Sequence, residues 1–215
     1  MSPVRFATIF ISYLFYCTLC EVITKEMVDK NRNACMKISK DPFFDIDIVV
    51  GKPWRIYYTW NIKLDTKCLD IIFRNATQEI IKRIWSDMNE YLEHQPYWEA
   101  ATLQMSISST QQELLLFADQ GAAGTFLAVP NIIRDSNPKP MRKGVPLLKI
   151  QMKLVRGGKY LLFMDCHMGA ASLAARPGHE IYRTEIAAEA KALDLGAGYP
   201  ACINEKNNDE QFFLN

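Results

Sequence analysis

The stretch that most limits what this chain can fold into is residues 51–61, Gly-Lys-Pro-Trp-Arg-Ile-Tyr-Tyr-Thr-Trp-Asn. It is dense in aromatic and β-branched residues, opens on a Gly/Pro turn and closes on Asn61. That composition suits a pleated, half-buried strand and disfavours a helix. Read with period two, Trp54, Ile56, Tyr58 and Trp60 share one face, and Arg55, Tyr57 and Thr59 the other. One face is wholly apolar and bulky, enough to line a core or a cavity.

Further apolar segments follow and read as strands returning to pair with this one. They are residues 68–74, 97–108, 113–118, 125–129, 147–155, 159–167 and 170–175. Arg156-Gly157-Gly158 is hairpin turn chemistry. Residues 134–146 hold three prolines and a glycine and read as a surface loop. Residues 80–92 are ambiguous. Ile80, Ile84, Met88 and Tyr91 form a helical stripe, whereas residues 81–85 equally begin a strand; the strand neighbours on both sides favour strand. Past Pro177-Gly178 the period changes. Residues 181–195 form an amphipathic helix with Ile186, Ala190 and Leu193 on one face, and Gly196 stands where a C-cap is expected. The fold class is therefore all-β with one C-terminal helix, and the arrangement an eight-stranded antiparallel up-and-down β-barrel. Eight strands enclose room for their own side chains or for one small ligand.

The N-terminus speaks for export. Arg5 precedes a twelve-residue apolar run at 6–17, too short to span a bilayer, and small residues before Glu21 suit cleavage. Residues 1–20 are thus expected to be a signal peptide, and no membrane insertion is expected after its removal. Residues 21–34 are expected to be a flexible lead-in, residues 35–203 the barrel with its helix, and residues 204–215 a polar tail. Removing residues 1–20 takes away Arg5 and no acid, leaving 24 basic against 24 acidic side chains. Such a neutral chain is a poor match for nucleic acid. Four cysteines remain, Cys35, Cys68, Cys166 and Cys202; an even number in an exported chain implies two disulfides, for which three connectivities exist. Asn75-Ala76-Thr77 is a glycosylation acceptor pattern.

These features together resemble the lipocalins, most closely the secreted insect group with nitrophorins, triabin-type salivary proteins and bilin-binding proteins. Gly51 and Trp54 stand for the family's G-x-W motif, with one residue more between them. The late strand is followed by Arg176 and a helix, and the four cysteines fall in the order that group uses. The resemblance implies Cys35–Cys166 and Cys68–Cys202 bridges. It also implies that Trp54 plugs the closed end of the barrel with Arg176 across its indole, both in structural roles.

With Trp54 inward, parity expects Ile56, Tyr58 and Trp60 inward too. Cys68 facing out puts Leu69, Ile71 and Phe73 in, and Cys166 facing out puts Phe163, Asp165 and His167 in. Met105, Leu148, Ile150 and Met152 complete an apolar lining that suits a small hydrophobic ligand such as a pigment, lipid, odorant or amine. Asp165 and His167 are the candidate polar anchors. The bland alternative is a dry core. Haem or bilin lacks a clear ligand residue, since His94 sits beside Gln95-Pro96, a turn pattern, so no cofactor is expected. Catalysis is not expected either, because pairing all four cysteines leaves no free thiol. Two functions are carried forward. One is a secreted carrier or scavenger. The other is an interaction protein or inhibitor acting through rim loops, above all loop 134–146 with Arg134, Lys139, Arg142 and Lys143.

Overall fold

A computed structural model describes residues 25–64, 68–108, 112–119, 123–134, 143–177 and 182–202. Its centre is a closed eight-stranded antiparallel up-and-down barrel with a helix near the C-terminus. The strands are β1 (Trp54–Trp60), β2 (Asp70–Asn75), β3 (Ala101–Ile107), β4 (Glu113–Ala118), β5 (Thr125–Pro130), β6 (Leu148–Val155), β7 (Tyr160–Asp165) and β8 (Ala171–Ala175). Each pairs with the next, and β1 closes the ring against both β8 and β2. A short β9 (Gly198–Pro200) adds to β1 outside the ring. This architecture is consistent with a lipocalin-like fold.

Among the described residues, four α-helices surround the barrel: α1 (Lys25–Ser39), α2 (Ile46–Val49), α3 (Gln78–Met88) and α4 (Arg183–Leu193). Two of them depart from the sequence expectation. Lys25 to Asn33, expected to be loose, lie in α1, because Asn31, Cys35 and Ile38 give that helix a buried side against the barrel. Residues 80–92, expected as strand, form α3 instead. Thr77 caps it, its hydroxyl accepting from the Ile80 amide at 3.3 Å, and Ile81, Ile84 and Met88 make the buried stripe. The local cap and the 3.6-residue stripe prevail over the bias of neighbouring strands. At the end of α4 the left-handed C-cap position belongs to Asp194, φ 50°, in place of Gly196.

Apolar packing falls into three clusters. One fills the barrel. A second lies outside it, where Tyr57, Trp60, Leu162, Met164, Leu173 and Ala175 meet α1 and α4. The third is under α3, where Ile81, Ile84 and Met88 meet Leu115, Phe117 and Val129. Strands apolar on both faces account for runs such as Glu113–Ala118, which lack alternation.

The end of the barrel at which β1 begins is shut. Phe44 packs edge-on against Phe126 at 5.4 Å, and the α2 turn, capped by Asp45, lies across the opening. Trp54 is fully buried there and donates from Nε1 to the Val49 carbonyl at 2.9 Å. The Arg176 guanidinium stacks 4.0 Å from the Trp54 ring and donates to the Ile48, Val49, Lys52 and Pro53 carbonyls. One cation thus holds the indole and the α2 turn together. Cation–π contact contributes about 0.5–2 kcal/mol and each net hydrogen bond about 1 kcal/mol. Arg176→Ala should therefore lower the urea unfolding free energy by roughly 2–3 kcal/mol. Arg176→Lys, which keeps the charge and loses the planar fork, should lose an intermediate amount; equal losses for both would rule out the stacked, multi-carbonyl role.

Candidate functional site

The barrel interior is the first place to look for a site. Ile56, Leu69, Ile71, Phe73, Met105, Ile150, Met152 and Phe163 all point into it, as parity expects, and each exposes 4 % or less of its surface. Leu148 packs half-buried at its edge. Leu103, Leu114, Leu116, Phe126 and Leu154 fill between them with similarly little exposure. Side chains buried to this degree leave no water-sized space beside them. The described interior is a packed core.

Three of the expected lining residues go elsewhere, and a fourth, Asp165, stays opposite Ile150 but turns its carboxylate to the β7–β8 turn. Tyr58 and Trp60 belong to the outer cluster beneath α1 and α4, their rings 5.0 Å apart edge to face. The reason is a β-bulge: the β1–β8 register shifts between Ile56 and Tyr58, so every later side chain of β1 changes face. Thr59, not Trp60, faces the interior. Asp165 and His167, the expected polar anchors, lie at the β7–β8 turn. The Asp165 carboxylate accepts from the backbone amides of His167 and Met168 at 2.8 and 3.1 Å, capping the β7–β8 turn. Burial raises the Asp165 pKa, the two amides offset part of that, and the net shift is upward. The His167 side chain is exposed, and the turn is held to α1 by the Asn31 amide donating to the His167 carbonyl at 3.0 Å. His94 is exposed in the bend after α3.

The disulfides join Cys35 to Cys166 and Cys68 to Cys202. The first fastens α1 to the β7–β8 turn, the second fastens the segment after β9 to the start of β2. No group of histidine, cysteine, aspartate or glutamate side chains suited to a metal ion occurs among the described residues. None of the helices there is long and apolar enough to cross a membrane. Asn75 is exposed at the end of β2, beside the Thr77 cap.

The most developed polar cluster is one that the sequence reading missed. Glu113, at the start of β4, has a side chain only 1 % exposed on the outer face under α3. Arg83 of α3 grips both carboxylate oxygens, and Arg134 approaches one at 3.0 Å. Gln104 of β3 and Asn131 after β5 donate to it at 2.6 and 2.9 Å. Asn131 also donates to Asp87 of α3 at 2.8 Å. This network ties one foot of the β5–β6 connection to α3. The other foot is tied by backbone bonds from Gly144 and Val145 to the Tyr91 carbonyl and from Glu93 to the Val145 carbonyl. Both ends of that connection are therefore fixed at the end of the barrel opposite Trp54. Lys143 lies 4.0 Å from Glu90, while Lys139 and Arg142 lie outside the described residues. The only sequence signal for the cluster was a lone acid opening an otherwise apolar strand.

Comparison with known proteins finds no matching family model, curated protein or solved structure.

Burial alone would raise the Glu113 pKa; hydrogen bonds from Arg83, Arg134, Gln104 and Asn131 outweigh it and bring it from 4.5 to about 2. A carboxyl depressed in the folded chain adds stability that is complete above its unfolded pKa and is lost as pH falls through its folded pKa. The Glu113 contribution should be intact above pH 4.5 and vanish towards pH 2. Glu113→Gln should cost about 2–3 kcal/mol at pH 7, less than a fully buried pair because both arginines keep some solvent. It should also flatten the acid limb of a stability–pH curve between those limits. An unchanged acid limb would show that Glu113 does not carry it.

Proposed function

We propose that this chain is an exported binding protein of the lipocalin type, related to the insect group, in which the barrel is a rigid support and the working surface is its rim opposite Trp54. The observation that carries this reading is the filled interior: the side chains that would line a ligand cavity occupy it. The β-barrel is compatible with a small ligand, yet the side chains expected to line a cavity are buried among one another. An interaction protein needs loops held on a stiff frame. The β5–β6 connection has that support, with its feet fixed to α3 through Glu113 and through the 91–93 backbone. The partner that suits it is another protein, met through the connection's basic residues.

Export is supported by the short apolar run after Arg5 and by two disulfides, which are compatible with an extracellular protein. Family membership is supported by the order of Gly51, Trp54, Arg176, helix and cysteines, together with the Arg176–Trp54 stack. The reading assigns no catalysis to the chain. Among the described residues, the buried acids Glu113 and Glu189 are engaged in structural pairs, Glu113 with Arg83 and Arg134, Glu189 with Arg156 at 2.6 Å.

Native mass spectrometry of protein purified from its natural source tests the choice. The expected mass is that of the processed, doubly disulfide-bonded chain plus a glycan, with no bound small molecule. An equimolar co-purifying compound would overturn the rim reading in favour of carriage. In the same spectra, Asn75→Gln should remove the whole glycan mass; a glycan that persists would place the modification elsewhere.

A further inference from the structure

The side of α3 away from Glu113 has an exposed stripe of its own. Arg83 and Asp87 turn one flank of the helix toward Glu113 and Asn131. Helical spacing sets Gln78, Lys82 and Trp85 along the opposite flank, and all three are exposed. Because α3 lies over β4 and β5, this flank looks toward β3. The stripe begins at the Thr77 cap and ends, about 12 Å further along the axis, on an indole that is 48 % exposed. The turn leading into β3 lies against the same helix. Gln95 Nε2 donates to the Asn89 carbonyl at the end of α3 at 2.6 Å, and Gln95 Oε1 accepts from Trp98 Nε1 at 3.0 Å. The Ala100 amide donates to the Tyr97 carbonyl at 3.0 Å, closing a 3₁₀ turn over Trp98–Ala100. Tyr97 is left outermost, 72 % exposed, its hydroxyl donating to Glu99 Oε2 at 2.8 Å.

Asn75 stands at the foot of both. β2 ends with Asn75 opposite Leu103, and the next amide, of Ala76, donates to the Thr102 carbonyl at 2.9 Å, two residues from the end of the 3₁₀ turn. In the other direction the chain passes from Asn75 through the Thr77 cap into α3. The Asn75 side chain is exposed, and among the described residues no hydrogen bond holds its amide. The large apolar side chains exposed near it, within residues 75–104, are Trp85 and Tyr97. They stand among amides and charges rather than in one apolar patch. A protein interface is built on a contiguous buried core. A sugar has apolar C–H faces and a rim of hydroxyls, and so matches single rings with polar neighbours.

We infer that this flank is a docking surface for the chain's own glycan. The inference rests on the exported, glycosylated reading above and adds what the glycan does. The core N-acetylglucosamines on Asn75 lie along α3 and the 97–100 turn. Their C–H faces rest on Tyr97 and Trp85, and their polar rims bond to Gln78 and Glu99. Attachment comes first: the C1–O bond to a lipid pyrophosphate donor breaks, C1 bonds to Asn75 Nδ2, and one amide proton is released. Laying C–H groups on a ring gains dispersion and removes apolar surface from water. The covalent tether makes the contact intramolecular, so that weak stacking is well populated. The docked glycan covers the two rings and clamps the turn to α3. It leaves the rim opposite Trp54 open to a partner.

The test uses the full chain secreted from eukaryotic cells, with Asn75→Gln, Trp85→Ala/Tyr97→Ala and the three changes combined, and amide hydrogen exchange as readout. Losing the glycan through Asn75→Gln should speed exchange at Ala100 about fivefold and leave Leu162 in β7 unchanged, as loss of a local clamp requires. In the Trp85→Ala/Tyr97→Ala background the same change should have no effect at Ala100, because the coupling needs both partners. In the natural sequence, NMR should find proton contacts between an N-acetyl methyl and the Trp85 or Tyr97 ring. Suppose the mass shows the glycan on Asn75. Exchange at Ala100 indifferent to Asn75→Gln, an effect that persists without the two rings, or absent methyl contacts would then overturn the docking and leave the exported reading standing. A secreted chain whose mass shows Asn75 unmodified would overturn the docking together with the glycan itself.

Discussion

A barrel whose strands are apolar on both faces has to be covered twice, and nearly everything outside the ring of this protein answers that need. Leu115, Phe117 and Val129 point away from the interior, as do Leu162, Met164 and Leu173, yet all are buried. Left bare, they would make contiguous apolar patches of the kind that drive association. α3 covers the first set, α1 and α4 the second. Each cover is fastened by more than packing. α1 has the Cys35–Cys166 bridge and the Asn31 amide on the β7–β8 turn. α4 has Arg156–Glu189 and Lys159–Glu185, which pin it to the β6–β7 turn. α3 has Arg83 on Glu113. Polar fasteners at the edge of an apolar contact fix where a helix lies, which burial alone, being non-directional, does not.

How much of this was legible in the sequence follows from which signals are local. The strands were legible because β-branched and aromatic runs between turn residues carry their own signature, and the Arg156-Gly157-Gly158 hairpin falls where its turn chemistry places it. The interior positions of β2, β3, β6 and β7 followed from parity, because β2, β6 and β7 pair without a register shift there and the shift of β3 against β4 falls before Leu103. β1 did not allow this. Its bulge between Ile56 and Tyr58 leaves no mark in composition, so Trp60 exchanged places with Thr59. The α3 segment carried a valid helical stripe and a capping threonine, and was outvoted by its neighbours. Glu113 was illegible for another reason: its partners come from positions 83, 104, 131 and 134, which only the fold brings together.

The shut end of the barrel shows how one contact fixes several elements. Trp54 is the first residue of β1, Arg176 follows β8, and α2 lies between the lead-in and the barrel. The guanidinium lies on the indole and collects the carbonyls of α2 and its exit, while the indole itself donates to Val49. Those backbone acceptors lack helical partners in so short a helix and would otherwise go unsatisfied. The left-handed turn at Gly51, φ 95°, steers the chain from that cap into the ladder, where its amide meets the Phe73 carbonyl at 3.1 Å.

Whether such a barrel is hollow is a question of volume, and periodicity does not encode volume. The same inward residues that suit an apolar ligand also suit one another, and here Trp54, Phe73, Phe126 and Phe163 with Met105 and Met152 fill the ring. Eight strands are the size at which side chains alone suffice. A packed interior would leave recognition to the outer surface, as proposed for the rim that Glu113 braces. It also means that any guest inside must displace something. The strongest ladders, such as β6 with β7, run unbroken across six residue pairs, whereas β1 meets β2 at two. Displacement therefore costs least at the seam between β1 and β2.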